Sequence, residues 1–408
     1  MTLSRIAALL AAGTVFVALW GFLPPPAYAL LALSVGAPEA GVWLVAVAFA
    51  AAVVALVTGQ GWVRWTTLLC AAATTLLSLL PLLRYPATVR RFDAAMHAAL
   101  GSDFLCAVPA PIRDSLRPRS LQLAELFTGL PSGEVRITRG VPVGQVEGIP
   151  LRADLYQPAD SGPFPVVVQI YGGAWQRGAP DDDAAFARYL AAHRYVVMAI
   201  DYRHAPRWQW PAQLADVRTA LAWVRGHVAE FGGDPTRLAL IGRSSGAQLA
   251  LVAAYTETLP IQGVISYYGP VDLVDGYDHP PSPDPLHVQS LEVAYLGGTP
   301  PEQPERYRAG SPVTYAATRQ PPTLLLYGGR DNVVLPRFGR LLHDRLQAGG
   351  TTAVLLEIPW AQHAFDAVSA GPSAQLALGE VERFLAWALY GAGGTHAEDC
   401  TGRSGDGQ

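Results

Sequence analysis

The sequence has no lysine; all 29 of its basic residues are arginine. That absence reads as coding bias rather than as chemistry. The arginines form no basic run, so nothing points to nucleic acid, and no acidic run points to a solvating tail. Three cysteines, Cys70, Cys106 and Cys400, are too far apart in sequence for a thiolate metal cluster. The nine histidines are scattered, with no i, i+4 pair beside a glutamate. No metal site is therefore expected from these residues. No internal repeat is visible. Half of the 408 residues are hydrophobic, which suits one large domain with an appendage.

Charge is scarcest at the start. Between Arg5 and Arg84 the only charged side chains are Glu39 and Arg64. They divide the region into three apolar stretches, residues 6–23, 42–57 and 65–83, the first continuing weakly past Pro24-Pro25-Pro26 to residue 35. Their lengths approach the ~17–25 residues that cross a hydrocarbon core of ~30 Å. Trp20, Trp43, Trp62 and Trp65 sit near segment ends, where interfacial aromatics belong. Residues 1–84 are thus read as a multi-pass cell-membrane segment of about three helices. Two other readings compete: a cleaved signal peptide ending near Ala27-Tyr28-Ala29, and a buried helical hairpin, although such helices normally carry a polar face. Arg5 and Arg64 favour a cytoplasmic N-terminus and an extracytoplasmic catalytic domain. Arg84, Arg90 and Arg91 pull the other way. A disulfide between Cys106 and Cys400 would need an oxidising compartment; two unpaired cysteines are the alternative.

Residues 85–133 read as a connector, with an amphipathic helix over 87–100 that carries Phe92, Met96 and Leu100 on one stripe. It is either a spacer or a piece lying over the site. From residue 134 to 391 short β-rich runs alternate with helical ones. Strands are expected at 135–138, 151–156, 166–170, 195–200, 238–241, 261–267, 323–327 and 353–358. Helices are expected at 184–192, 211–231, 247–256, 336–348 and 373–390. The later strands are nearly all apolar, as buried parallel strands are. Alternation implies crossovers and a mostly parallel eight-stranded sheet covered by helices on both faces. The Gly-rich tail, residues 392–408, is expected to be disordered.

The chemistry starts at Gly242-Arg243-Ser244-Ser245-Gly246. An apolar strand runs into it and a helix runs out. This fits G-x-S-x-G, a sharp turn that holds its serine in a strained conformation. The helix N-terminus behind the serine offers a free N–H and partial positive charge to an oxyanion. A serine nucleophile needs a base, and the base needs an orienter. Strand 323–327 runs into Gly328-Gly329-Arg330-Asp331, and strand 353–358 is followed by Pro359-Trp360-Ala361-Gln362-His363. One helix and one strand separate Asp331 from His363. Ser244, Asp331 and His363 are therefore the candidate triad. The competing roles are a helix cap for Asp331 and a solvated loop position for His363. Asp201 and Asp234 look structural. A second oxyanion donor is sought in Tyr171-Gly172-Gly173-Ala174-Trp175, after strand 166–170. Gly173, Ala174 and Ser245 are the candidate donors.

Taken together, residues 134–390 resemble the hormone-sensitive-lipase-like esterases and the neighbouring carbohydrate/feruloyl-esterase-like branch of the α/β-hydrolase superfamily. The resemblance rests on Gly172-Gly173-Ala174-Trp175, Asp201-Tyr202-Arg203, Gly233-Asp234-Pro235, the serine turn, Tyr268-Gly269-Pro270 and Ser311-Pro312-Val313. It implies the α/β-hydrolase fold and carboxylic-ester hydrolysis through an acyl-enzyme without a cofactor. Three positions depart from the pattern. Tyr171 replaces the histidine of His-Gly-Gly, Arg243 replaces the aspartate of Gly-Asp-Ser-Ala-Gly, and Asp331-Asn332-Val333 replaces Asp-Pro-Leu. These favour the feruloyl-esterase-like branch.

Trp175, Tyr267, Tyr268 and Trp360 stand on loops expected to ring the nucleophile. They are candidate lining for an acyl or aromatic pocket, against the alternative that they are core. The insertion over residues 274–310 is a candidate lid. The expected substrate is a small-molecule, lipid or carbohydrate ester. The rival functions are a peptidase or amidase with the same triad, an envelope acyltransferase, and a non-catalytic binding module on the same fold.

Overall fold

The computed structural model describes residues 2–391. The tail, and with it Cys400 and its expected pairing with Cys106, lies outside the described residues. Four helices open the chain: α1 (Leu3–Trp20), α2 (Tyr28–Glu39), α3 (Gly41–Thr58) and α4 (Gly61–Leu100). Of these, α1, α3 and α4 are long and apolar enough to cross a membrane, by length and composition. They meet through small side chains. Ala7, Ala11 and Thr14 of α1, Ala48, Ala51 and Ala55 of α3, and Ala71 and Thr74 of α4 are all buried. Thr14 and Thr74 share a hydrogen bond of 2.9 Å between their hydroxyls. Small residues let helix backbones approach closely. The large apolar side chains point outward instead: Leu9, Phe16, Phe49, Val57, Leu69 and Leu83 are exposed.

The third apolar stretch and the connector helix are one helix. α4 runs unbroken through Pro81 and Pro86. At 1.5 Å per residue it is roughly 60 Å long, about twice a hydrocarbon core. Its far end docks on the sheet domain. Phe92 and Met96 are buried in the main core, Arg91 Nη2 donates to the Glu357 carbonyl at 3.0 Å, and Arg383 pairs with Asp93 at 2.8 Å. The expected spacer is therefore a packed strut. Two single-turn helices, α5 (Ala110–Arg113) and α6 (Glu125–Thr128), complete the connector.

The sheet domain begins with β1 (Val135–Val146), β2 (Ile149–Pro158) and β3 (Phe164–Ile170). Then come α7 (Ala184–Ala192), β4 (Val196–Ile200), α8 (Ala212–His227), β5 (Gly233–Arg243), α9 (Ser245–Thr256) and β6 (Ile261–Tyr267). The insertion carries α10 (Leu273–Asp278), α11 (Val288–Leu296) and α12 (Pro304–Gly310). The chain closes with β7 (Thr323–Gly328), α13 (Arg337–Ala348), β8 (Ala353–Ile358) and α14 (Pro372–Ala386). The strand order is β1-β2-β4-β3-β5-β6-β7-β8. β2 pairs antiparallel with both its neighbours, and β4, β3, β5, β6, β7 and β8 pair parallel. Every residue of β3 and β7 is buried, which is why they read as largely apolar runs. β1 alternates, as an edge strand facing water on one side does. This mostly parallel eight-stranded sheet with helices on both faces is the α/β-hydrolase fold. β5 lies near its centre, and its C-terminal end carries the site.

Candidate active site

Ser244 sits between β5 and α9 with φ +50° and ψ −120°. That backbone costs a non-glycine residue ~1–3 kcal/mol and survives only where the surroundings impose it. Here they do. A Cβ at Gly242 would strike the Gly246 carbonyl, and one at Gly246 would strike the carbonyls of Tyr171 and Ile170. Both glycines are thus required by close approach. The turn is pinned by Ser244 N–H donating to the Tyr267 carbonyl at 2.9 Å.

The structure brings the three predicted residues into one line. His363 Nε2 lies 3.0 Å from Ser244 Oγ, and His363 Nδ1 lies 2.8 Å from Asp331 Oδ2. The other oxygen, Asp331 Oδ1, accepts from the N–H groups of Val333 and Val334 at 2.8 and 2.9 Å. A carboxylate only accepts, so Nδ1 carries the imidazole proton and Nε2 is left to accept from the serine hydroxyl. Asp331 and His363 are buried; Ser244 keeps partial access.

The loop after β3 faces this line. Gly173, Ala174 and Trp175 have φ of +133°, +54° and +60° in succession. Among the described residues, the amides of Gly173, Ala174 and Ser245 donate to no backbone carbonyl, so these N–H groups remain free for a ligand. Tyr171 anchors the loop. Its hydroxyl donates to Asp201 at 2.6 Å and its ring stacks on Tyr202 at 4.5 Å. Asp201 is thus a structural partner, as is Asp234, which pairs with Arg237 at 2.7 Å.

A cavity of about 50 Å³ opens beside Ser244. Trp175 lines it; its indole N–H is held by Gln248 at 2.9 Å and its ring stacks on Tyr295 at 4.2 Å. The other three predicted pocket residues do not line this cavity. Tyr267 packs against the Arg243 guanidinium, 4.8 Å away, around a separate cavity. Tyr268 lays its ring 4.6 Å from His363 but sends its hydroxyl to Asp366. Trp360 turns toward the apolar helices, stacking on Tyr85 at 6.0 Å and donating to Ser373 Oγ at 2.9 Å. The correction has a simple cause: nearness in sequence to a catalytic position does not set the direction of a side chain.

The walls that sequence reasoning missed come from two places. Leu286, Val288, Leu291 and Glu292 belong to the insertion, and Val333, Val334, Leu335 and Phe338 follow Asp331. The apolar run after Asp331 was a usable signal; the buried Glu292 had none. Burial pushes its carboxyl well above the usual range, with Asp272 and Asp278 adding to the shift.

Residues 153–346 match the family described as BD-FAE. The chain is 34% identical to the probable carboxylic ester hydrolase LipM of Mycobacterium tuberculosis, over 55% of this chain and 55% of that one. It is 29% identical to the esterase LipQ of the same organism, over 68% of this chain and 70% of that one. The chain thus spans little more than half the length of LipM. Among solved structures, a bacterial heroin esterase aligns over 63% of this chain and 84% of its own, with TM-score 0.55 and 22% identity. An esterase from the archaeon Pyrobaculum calidifontis aligns over the same shares, with TM-score 0.54 and 23% identity. These two likenesses concern the fold. Sheet order and serine turn give the chain the α/β-hydrolase fold, and its sequence is similar to the BD-FAE family and to the esterases LipM and LipQ.

Proposed function

We propose that this chain is a membrane-anchored serine carboxylesterase with Ser244 as nucleophile, His363 as general base and acid, and Asp331 as the orienter of His363. The observation that carries the reading is the continuous hydrogen-bonded line Ser244–His363–Asp331 beneath a strained serine. His363 Nε2 takes the hydroxyl proton as Oγ attacks the ester carbonyl. The negative charge that forms on the carbonyl oxygen meets the amides of Gly173, Ala174 and Ser245, each such donor contributing roughly 3 kcal/mol at the transition state. His363 then protonates the departing alcohol, leaving an acyl group on Ser244. Water repeats the sequence and frees the acid. The esterase relatives support ester bonds as the target. The three long apolar helices, with small residues inside and large apolar ones outside, support the anchor.

The test is turnover by the detergent-solubilised full chain. Hydrolysis of p-nitrophenyl butyrate by the wild type, lost in Ser244→Ala, is the expected result. Equal turnover by the two proteins would sink the assignment of Ser244. Faster cleavage of peptide anilides than of esters would shift the reading to an amidase.

A further inference from the structure

The apolar helices sit on the active-site end of the sheet. Four contacts place them there, each from the chain that follows a strand. Arg177, after β3, lies over the ring of Tyr28 at 4.9 Å. Arg330, after β7 and adjacent to Asp331, donates to the carbonyls of Gly21 and Phe22 at 3.4 and 3.3 Å, just past α1. Trp360, after β8, stacks on Tyr85 of α4. The Ser373 N–H, at the start of α14, donates to Glu39 of α2 at 2.9 Å.

The cavity beside Ser244 leads the same way. Ala174, Leu286 and Leu291 line both it and a wider cavity of about 350 Å³, whose wall includes Tyr28. Tyr28 opens α2, shortly after α1 ends at Trp20. Tyrosine and tryptophan are the residues that settle at headgroup depth. Tyr28 is 53% exposed, and Leu23, which precedes it in the chain, is 46% exposed. Adjoining cavities that share Ala174, Leu286 and Leu291, with Gln176, Arg177 and His287 also on the outer wall, thus run from the serine toward the level at which the first long apolar helix ends.

We infer that Ser244 is reached from the membrane interface, and that its ester is borne by a membrane-resident amphiphile whose chain passes Tyr28 and Leu286. This rests on the membrane-anchored esterase reading above. Such an ester moves from the bilayer to the serine without its chain entering water, a step that costs free energy for every methylene exposed.

The test uses the full chain in lipid nanodiscs and two fluorophosphonates, with labelling mapped to Ser244. One probe is short and water-soluble. The other is carried on a two-chain lipid that does not leave its bilayer. The lipid probe is expected to label at least tenfold faster in the same disc as the protein than in separate discs, while the soluble probe labels equally in both arrangements. Soluble-probe labelling without any gain from sharing a disc would overturn the interfacial route and leave the serine-hydrolase reading standing. Labelling by neither probe, in protein shown to be folded, would remove both.

Discussion

Arg243 Nε lies 2.5 Å from Asp366 Oδ2, with both side chains less than a tenth exposed. One residue immediately precedes Ser244; the other stands three positions after His363. The pair therefore ties the serine turn to the histidine loop. Asp183 approaches the same nitrogen at 3.3 Å, and the rings of Phe186 and Tyr267 lie 4.5 and 4.8 Å from the guanidinium. Burial opposes the charge on Arg243, but Asp183 and Asp366 outweigh it and raise its pKa. The second Asp366 oxygen takes the Tyr268 hydroxyl, and the Tyr268 ring lies against His363. On the proposed mechanism, Arg243 and Asp366 position the serine turn and the histidine loop through these neighbours.

Breaking this pair should move the histidine as well as weaken the fold. Asp366→Asn is expected to lower kcat about tenfold with little change in KM, in steady-state assays on p-nitrophenyl butyrate. Removing one partner of a buried pair costs ~3–5 kcal/mol where the other charge is left uncompensated; Asp183, 3.3 Å from Arg243, should hold the loss below that range. A drop in Tm with unchanged kcat per folded molecule would reduce the pair to a structural strut.

The Ser244–His363–Asp331 line should behave as a unit. Asp331→Asn is expected to cost about 10⁴-fold in kcat by favouring the wrong imidazole tautomer. Ser244→Ala should cost more, and adding Asp331→Asn to Ser244→Ala should cost nothing further. Additive losses in the double variant would mean that Asp331 acts other than through His363.

Tyr171 opens the loop bearing Gly173 and Ala174, and its hydroxyl holds that loop to Asp201. Removing that hydroxyl frees the loop and leaves Asp201 without the donor. Tyr171→Phe is expected to lower kcat several-fold and stability by ~1–2 kcal/mol. The two readouts are turnover and thermal unfolding. Unchanged kcat with lowered stability would place Tyr171 in the scaffold alone.

Much of the sheet was legible because a parallel strand buried on both faces is largely apolar, as β3 and β7 are. β1 was legible only to Thr138. Arg139 and Gly140 interrupt its pattern, although the strand continues to Val146 beyond an irregularity in its pairing. α4 was read as two pieces because the apolar stretch ends at Arg84 and the pattern beyond it is amphipathic. In the structure neighbouring helices and the sheet domain embrace the segment, burying Pro81, Tyr85 and Phe92. At the candidate site, motif and strand count were enough to anticipate that Ser244, Asp331 and His363 meet. The cavity walls were not, because Trp360 and Tyr267 are turned by packing partners far away in sequence, and Glu292 is buried by the fold of the insertion.

Buried acids give the final prediction, a pH dependence of unusual sign. Glu382 is buried, and desolvation pushes its carboxyl up to about 7 despite the Tyr189 hydroxyl at 2.6 Å and the Arg117 N–H at 3.2 Å. Burial likewise pushes Glu380 up to about 6. Between the ordinary glutamate value of 4.5 and these raised values, the folded state holds more protons than the unfolded one. Their contribution to stability is therefore full below about 4.5 and declines as pH rises toward 7. His193 and His204, whose pKa values burial lowers, act in the opposite sense below 6.5. A difference measurement isolates the glutamate. Glu382→Gln should match the wild type near pH 5 and exceed its stability by roughly 2–3 kcal/mol at pH 8, where the wild type must bury a charge or unfold. Thermal unfolding of both proteins across that range is the check. Parallel curves would mean that Glu382 stays ionised in the fold, with Arg117 and Tyr189 compensating for its burial.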